Sequence, residues 1–451
     1  MSVIAAAYSS YTSWSISQVS TATDAGTKDG AASTAISSLS TSVTTVSISY
    51  RAKQLLARAS AERSVVDRLQ ALVAAFRTDR SLTLRGRNAG AGPADGTDFF
   101  NIVSGSGNDV IKAYARATID AGPGNDLIDT YGHANIVAGE GDDIVSTYGH
   151  STVDGGAGND HVSTYGHSTV TGGDGDDHIS TNDHSSVSGG NGNDRLETNG
   201  NSILDGGAGD DFLSAYANSS LSGGAGNDTL SAYDNVTLDG GEGNDVLRAY
   251  ANSTLSGGAG NDKLSAYDHA TLDGGAGNDN LSAYDHANLN GGAGNDRIDA
   301  YDHANVDAGS GNDIVTTYSH ATVSAGDGDD YVLTNDHSVV DGGAGDDAIQ
   351  VGGASTVTGG AGNDRIRVTG GDTTINFAKG DGNDVVRLDN SSDGVDFSIN
   401  GYSLNDVVVT QQYGKTIVNF KGSDDSLTFN LGSNGSARLS FADHSSLDIR
   451  A

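Results

Sequence analysis

The chain contains no cysteine, two prolines, one tryptophan and one methionine among 451 residues. Without cysteine there are no disulfides, no thiolate nucleophile and no zinc–thiolate site. Hydrophobic residues make up only 35%. A globe of this length would want more, so an elongated repeat burying a thin core is the better expectation. The apolar runs are far too short for a membrane-spanning helix. The opening stretch MSVIAAAYSSYTSW has no basic leader and no adequate apolar core, which argues against a cleaved signal peptide. Basic residues are also scarce. With 24 Lys and Arg against 59 Asp and Glu, the formal net charge is −35, and nucleic acid is not an expected partner. Catalytic signatures are missing as well. There is no HExxH, no P-loop, no dinucleotide fingerprint, and no GxSxG followed by a plausible hydrolase domain, so no enzyme is expected.

Glycine, by contrast, is plentiful, at 65 residues. That is about twice ordinary usage and, with so little proline, it points to dense turns. The glycines are periodic. Asp109, Asp126, Asp143, Asp160, Asp177, Asp194, Asp211, Asp228, Asp245, Asp262, Asp279, Asp296, Asp313, Asp330, Asp347 and Asp364 follow one another at steps of 17 residues, sixteen copies without a slip. Two residues after each aspartate stands an apolar residue, from Ile111 and Ile128 to Ile366. A second apolar column runs from Ile119 and Ile136 to Val357, and small residues such as Ala266 and Ala270 lie two positions away from these columns. Spacing of two places them on one strand face. The repeat therefore reads strand, turn, strand, turn, with one coil per 17 residues and successive coils paired edge to edge. The fold class is all-β: a right-handed parallel β-roll, or β-solenoid, of about 16 coils.

Each loop before the aspartate has glycine at its second and fourth positions, as in Gly258 and Gly260, and Asn or Asp next to last. Glycine tolerates positive φ and lets carbonyls turn toward a common centre. Carbonyl and carboxylate oxygens are hard ligands suited to calcium. One loop cannot supply the roughly six to eight oxygens calcium takes, but two stacked loops can. About fifteen ions would then lie in one row between the sixteen loops. Stacked at the strand spacing, neighbouring carboxylates would repel by roughly 1 kcal/mol per pair even in water. A tight-turn motif alone accounts for one such loop but not for a like-charged column sixteen deep.

GGAGNDKLS (257–265) and GGAGNDNLS (274–282) resemble the GGxGxDxUx nonapeptide of the RTX, or haemolysin-type, calcium-binding family. The resemblance covers residues 104 to about 368. It implies a parallel β-roll with calcium between successive turns, secretion from a Gram-negative bacterium by the type I machinery, and an uncleaved C-terminal signal. It also implies that the sixteen aspartates are ligands, together with carbonyls of the adjacent glycines. One departure matters. The family's usual coil has two nonapeptides and calcium on both edges, whereas the second half of each coil here has eight residues and lacks the glycines and terminal aspartate. Calcium is expected on one edge only.

The other edge carries tyrosine in 11 of 15 copies, including Tyr267 and Tyr284. Two residues later comes a column of His (133–184), Asn (201–252) and His again (269–337). This reads first as a metal-free turn, since Asn, Asp and His tolerate the left-handed region and stacked tyrosine rings shield the core. A transition-metal row and a pH-sensitive edge are alternatives, and the run of asparagines argues against the former. An ice-binding face would need an unbroken threonine column, and Ser186, Asn288 and Asn305 break it.

Four segments follow. Residues 1–85 form a Ser- and Ala-rich N-terminal segment whose stretch 48–77 reads as an amphipathic helix, through Val66, Leu69, Val73 and Phe76. That helix could cap the roll, mediate self-association, or meet an acidic surface. Residues 86–103 are a linker and the start of the roll, 104–368 the roll, and 369–451 a small β cap holding the export signal. Within the last segment GDGND (380–384) echoes the loop at a 20-residue offset, adding Asp384 as a calcium candidate. The function expected is a secreted rod that folds on extracellular calcium and serves a structural, adhesive or cell-surface role. The alternative is an effector or binding module acting on a host membrane or glycan.

Overall fold

The computed structural model describes residues 46–47, 81–84 and 99–450, apart from 115, 183, 390–394 and 432–434. The chain divides into two compact units, Met1–Leu221 and Ser222–Ala451. The described residues are strands and turns forming about 17 solenoid turns, with a single 3-10 turn at Leu404–Asp406. The fold is an all-β parallel β-solenoid. The helix expected over 48–77 lies outside the described residues.

In the first unit, strands alternate between two parallel sheets. Leu127–Thr130, Ile144–Thr147, His161–Thr164 and His178–Thr181 pair in one sheet. Ala134–Glu140, Ser151–Ala157, Ser168–Asp174 and Ser186–Asn191 pair in the other. Every pair is offset by 17 residues, so Val162 faces Val145 on one side and Ile179 on the other. The alternation of apolar and polar residues decides which face turns inward. Ile128, Val145, Val162 and Ile179 are fully buried, and Ile136, Val153, Val170 and Val187 line the opposite wall. The core is one such aliphatic pair deep, narrowed at one turn by Thr130, Thr147 and Thr164. Each large aliphatic residue contributes about 1.5–3 kcal/mol on burial, and stacking sums these small terms.

The ladder also extends upstream. Phe99–Val103 pairs in parallel with Arg116–Asp120, and Ser81–Leu84 with Val110–Ala113. Ser81–Leu84, inside the 1–85 segment, is therefore a strand of the solenoid sheet, and Val46–Ser47 pairs antiparallel to it.

The second unit repeats the scheme through Lys263–Asp268, Asn280–Asp285 and Arg297–Ala300 in one sheet. Thr271–Ala276, Asn288–Ala293 and Asn305–Ser310 belong to the other. Leu264, Leu281, Leu272 and Leu289 fill the core, with Ala266 and Ala270 at the narrow end. Past residue 369 the coils lengthen but stay parallel. Thr374–Ala378 pairs with Thr356–Ala361 and Asn383–Leu388 with Arg365–Val368. Buried Phe377, Phe397, Phe420 and Phe429 fill the wider interior. Two antiparallel elements then form the cap: the hairpin Val407–Gln412 with Lys415–Phe420, and the pair Ser436–Phe441 with Ser446–Arg450.

Candidate metal centre

The site is one turn of the coil, repeated. In the loop Gly274–Asp279 the second and fourth residues, Gly275 and Gly277, have φ of 101° and 131°, where only glycine is comfortable. Space imposes the same choice. A Cβ on Gly275 would lie 2.2 Å from the carbonyl oxygen of Gly258 one coil earlier, and a Cβ on Gly277 only 1.7 Å from that of Gly260. The carbonyls of one loop thus project onto the next. A Cβ on Gly274 would sit 2.5 Å from both Asp279 Oδ2 and the Gly291 carbonyl of the following coil. Those two oxygens share the space beside a bare Cα. Alanine fills this first position at Ala121, Ala138, Ala308 and Ala325.

The aspartates form a hydrogen-bonded column in each unit. In the first, the Asp126 amide donates to Asp143 Oδ1 at 2.6 Å, Asp143 to Asp160 at 2.8 Å, and Asp160 to Asp177 at 2.7 Å. In the second, Asp245 donates to Asp262, Asp262 to Asp279 and Asp279 to Asp296, each at 2.7 Å. This column runs on past the end of the 17-residue period. The Asp364 amide donates to Asp384 Oδ1 at 3.1 Å, across the 20-residue offset. Asp384 therefore occupies the next place in the column.

While Oδ1 is held in this way, Oδ2 of Asp126, Asp143, Asp160, Asp177 and Asp194 in the first unit is buried and accepts no hydrogen bond. The same holds for Asp245, Asp262, Asp279, Asp296, Asp313, Asp330, Asp347 and Asp364 in the second. Burial pushes these carboxyls above the ordinary carboxylate range. Asp160 and Asp347 reach about 7 and Asp279 about 6, the amide of the preceding aspartate pulling them partly back down and neighbouring aspartates pushing them up. Asp384 is pushed up to about 8, again chiefly by burial. A buried, unpartnered, like-charged oxygen is costly unless a cation meets it. The donors beside it are carbonyl and carboxylate oxygens, which fit calcium and suit softer metals poorly.

The next-to-last loop residue has a distinct role that its sequence position did not disclose. The Asn278 amide donates to Asn261 Oδ1 at 2.7 Å, and the Asn295 amide to Asn278 Oδ1 at 2.6 Å. In the first unit Asp176 and Asn193 behave alike. This exposed ladder accepts from the following coil, whereas the buried aspartates accept from the preceding one. The signal was visible as an unbroken run of Asn or Asp, but a ligand and a ladder residue look the same in sequence.

The opposite turn gathers none of these aspartates. Its tyrosines stack, with Tyr131 and Tyr148 at 4.7 Å in the first unit and Tyr267 and Tyr284 at 5.0 Å in the second. Its histidines stack too, His150 on His167 at 4.8 Å and His269 on His286 at 5.0 Å. The left-handed conformation expected at this turn falls on the His and Asn column itself, from His184 and Asn201 to His337.

Loops of glycine and aspartate stacked coil upon coil define a metal-loop β-solenoid. The family model described as the RTX calcium-binding nonapeptide repeat matches in nine overlapping stretches. Two span 117–143 and 139–165, and seven run from 188–219 to 286–315. Over these stretches the chain carries RTX repeats of the calcium-binding kind. No curated protein matches it. Among solved structures it is similar to a hyperactive, Ca2+-dependent, β-helical antifreeze protein from an Antarctic bacterium. The identity is 20% and the TM-score 0.32, over 55% of this chain and 84% of that one. It is also similar to the extracellular lipase LipA from Serratia marcescens, at 17% identity and a TM-score of 0.14, over 54% of this chain and 38% of the lipase.

Proposed function

We propose that this is a secreted calcium-folded repeat protein with a structural, adhesive or cell-surface role. Asp109 to Asp364 at 17-residue steps, and Asp384 after them, are read as the ligands. Loop carbonyls complete each site, and one ion lies between each pair of successive loops, about fifteen in the chain. The observation that carries this reading is the file of buried Oδ2 atoms with no hydrogen-bond donor. Bound calcium would neutralise that file. The chain's own residues do the rest: the glycines let the carbonyls approach, and the amides hold each Oδ1 so that Oδ2 faces the gap. Low cytosolic calcium then leaves the acidic repeats unfolded and ready for type I export, and millimolar calcium outside a Gram-negative cell closes the coils. Circular dichroism at neutral pH, with calcium and then with excess chelator, tests this. A strand signal that appears with calcium and collapses with chelator supports the reading, and one that survives chelator overturns it.

A non-enzymatic role agrees with the arrangement of the carboxylates, which stand in regular ladders instead of an acid–base pair. The alternative of a binding module for glycan draws support from the first unit. An open groove there is lined by His150, Thr152, His167, Thr169 and Ser186, presenting hydroxyls and imidazoles at the strand spacing. Retention of the calcium-loaded protein on a polysaccharide matrix would favour it. The ice-binding alternative is weakened by Asn135 and Ile203 in the first unit and by Asn288 and Val339 in the second, which interrupt the threonine file.

A further inference from the structure

The histidine edge of the second unit holds a set of donors that the calcium reading does not use. His269, His286 and His303 all take the left-handed conformation, with φ of 51°, 53° and 58°. Their rings stack at 5.0 and 4.9 Å, within 1° and 3° of parallel. Beside them stand Asp268 and Asp285. Asp268 Oδ1 lies 2.7 Å from His269 Nδ1, and Asp285 Oδ1 lies 2.9 Å from His286 Nδ1 and 3.8 Å from His303 Nδ1. Despite its closeness to the ring nitrogen, Asp268 Oδ1 is buried without a hydrogen-bond partner. The contact lacks the alignment an N–H donor would need, so the two donor atoms lie side by side without a hydrogen bond between them.

We propose that Asp268, His269 and His286, with the overlapping set Asp285, His286 and His303, form a binding site for one transition-metal dication such as zinc, copper(II) or nickel(II). One donor atom from each residue of either set lies within 4.8 Å of the others. Metal–nitrogen bonds of about 2.0–2.1 Å need donors closer than that. The side chains are about half exposed, so small rotations close the set at little cost and water completes the coordination. Two imidazoles and a carboxylate suit zinc, copper(II) or nickel(II) and are poor company for calcium, so the two kinds of ion do not compete for one site. His286 belongs to both sets, which limits the run to one ion.

Position in the column separates this site from its neighbours. Asp302 and Asp336 precede histidines as well, but their Oδ1 atoms accept the amides of Ser319 and Gly353 in the next coil. In the first unit Gly132, Gly149 and Gly166 precede His133, His150 and His167, so those stacked rings lack the preceding aspartate. Among the described residues, the donors meet only where Asp-His recurs in consecutive coils and the aspartate is not already tied to the backbone.

The test uses the full chain saturated with calcium, titrated with zinc by calorimetry and with copper(II) by electron paramagnetic resonance. One zinc per chain and a copper spectrum split by imidazole nitrogen are expected. His286→Asn should weaken zinc binding at least tenfold, and His320→Asn, outside both sets, should leave it unchanged. Asparagine already occupies this column in left-handed conformation at Asn218, Asn235 and Asn252, so H286N should keep its calcium-dependent strand signal. If it does not, the double variant D268N/D285N reports on the same site without touching the turn, and should also lose zinc. Wild-type copper without nitrogen splitting, zinc affinity unchanged in both variants, or equal losses in H320N and H286N would overturn the proposal. None of these outcomes bears on calcium folding, which the strand signal reads separately.

Discussion

Gly277 and Gly274 sit three residues apart in one loop and are glycines for different reasons. At Gly277 the φ of 131° is combined with a backbone oxygen 1.7 Å from where a Cβ would stand. No rotation of a side chain relieves that, so the coils themselves would have to separate. At Gly274 φ is not in the left-handed region, and one of the two crowding atoms is the end of the Asp279 side chain. Alanine occurs at that position in four other loops. Gly277→Ala should therefore cost more than about 2 kcal/mol of calcium-loaded stability, from backbone strain and overpacking together. Gly274→Ala should cost distinctly less and act mainly on calcium affinity by displacing the Asp279 carboxylate. Thermal unfolding at saturating calcium, with calcium titrations of both variants, separates the two. Equal losses would mean that the close approach of the carbonyls is not what selects glycine. Of this distinction the sequence shows only that position four is always glycine and position one is not. The reason lies in a neighbour 17 residues away, which no local propensity reports.

At the scale of the element, the aspartate column makes a pH-dependent unit whose sign reverses with calcium. In the folded, metal-free chain the carboxyls of Asp126, Asp160, Asp194, Asp313 and Asp347 titrate near 7, and those of Asp143, Asp177, Asp245, Asp279, Asp330 and Asp364 near 6. Burial is the first cause in each case. In the unfolded chain they titrate at about 3.9. The folded state therefore binds more protons between these values. Its stability from this source is fully present below about pH 4 and is lost as pH rises through 6 to 7. In chelator, strand content should be higher at pH 5 than at pH 8. With calcium the order should invert in affinity, because protons and ions compete for the same oxygens, and the calcium midpoint should rise on going from pH 7.5 to pH 5.5. Circular dichroism across this range in chelator and in graded calcium reads both effects, and metal-free strand content that is flat from pH 5 to pH 8 would contradict the burial of the column. The strands were legible from the two apolar files at spacing two, and their partners from the 17-residue step. The cap was legible only as alternating segments. The parallel continuation through Thr374–Ala378 and Asn383–Leu388 depends on aromatic residues replacing aliphatic ones in a wider coil, and loop length there no longer follows the period. Ser81–Leu84 was hidden because its 29-residue offset from Val110–Ala113 departs from the 17-residue step.

For the whole molecule, the charge balance distinguishes two explanations of why calcium would be needed. The formal charge is −35, and about fifteen dications would bring roughly +30. If self-repulsion were the whole obstacle, screening alone would fold the chain, since the Debye length falls to about 3 Å in 1 M salt. The buried Oδ2 file points elsewhere. Screening by bulk salt does not reach an oxygen enclosed between two coils, and only a ligated ion satisfies it. Magnesium is a poor substitute, because it holds its water and demands a tight octahedron, whereas calcium accepts many oxygens in a flexible arrangement. In chelator at low salt and neutral pH the chain should therefore be expanded, with a radius of gyration on the order of 80 Å from the scaling of unfolded chains. Raising monovalent salt to 1 M should contract it without restoring the strand signal. Millimolar magnesium should do little more than salt, and millimolar calcium should restore compaction and strand signal together. Small-angle scattering and circular dichroism on the same samples measure both quantities. Strand signal recovered by salt alone would assign the obstacle to repulsion and remove ligation as the driving term. Recovery by magnesium as complete as by calcium would show that the loops select for charge and not for coordination, leaving the glycine-lined geometry without its function.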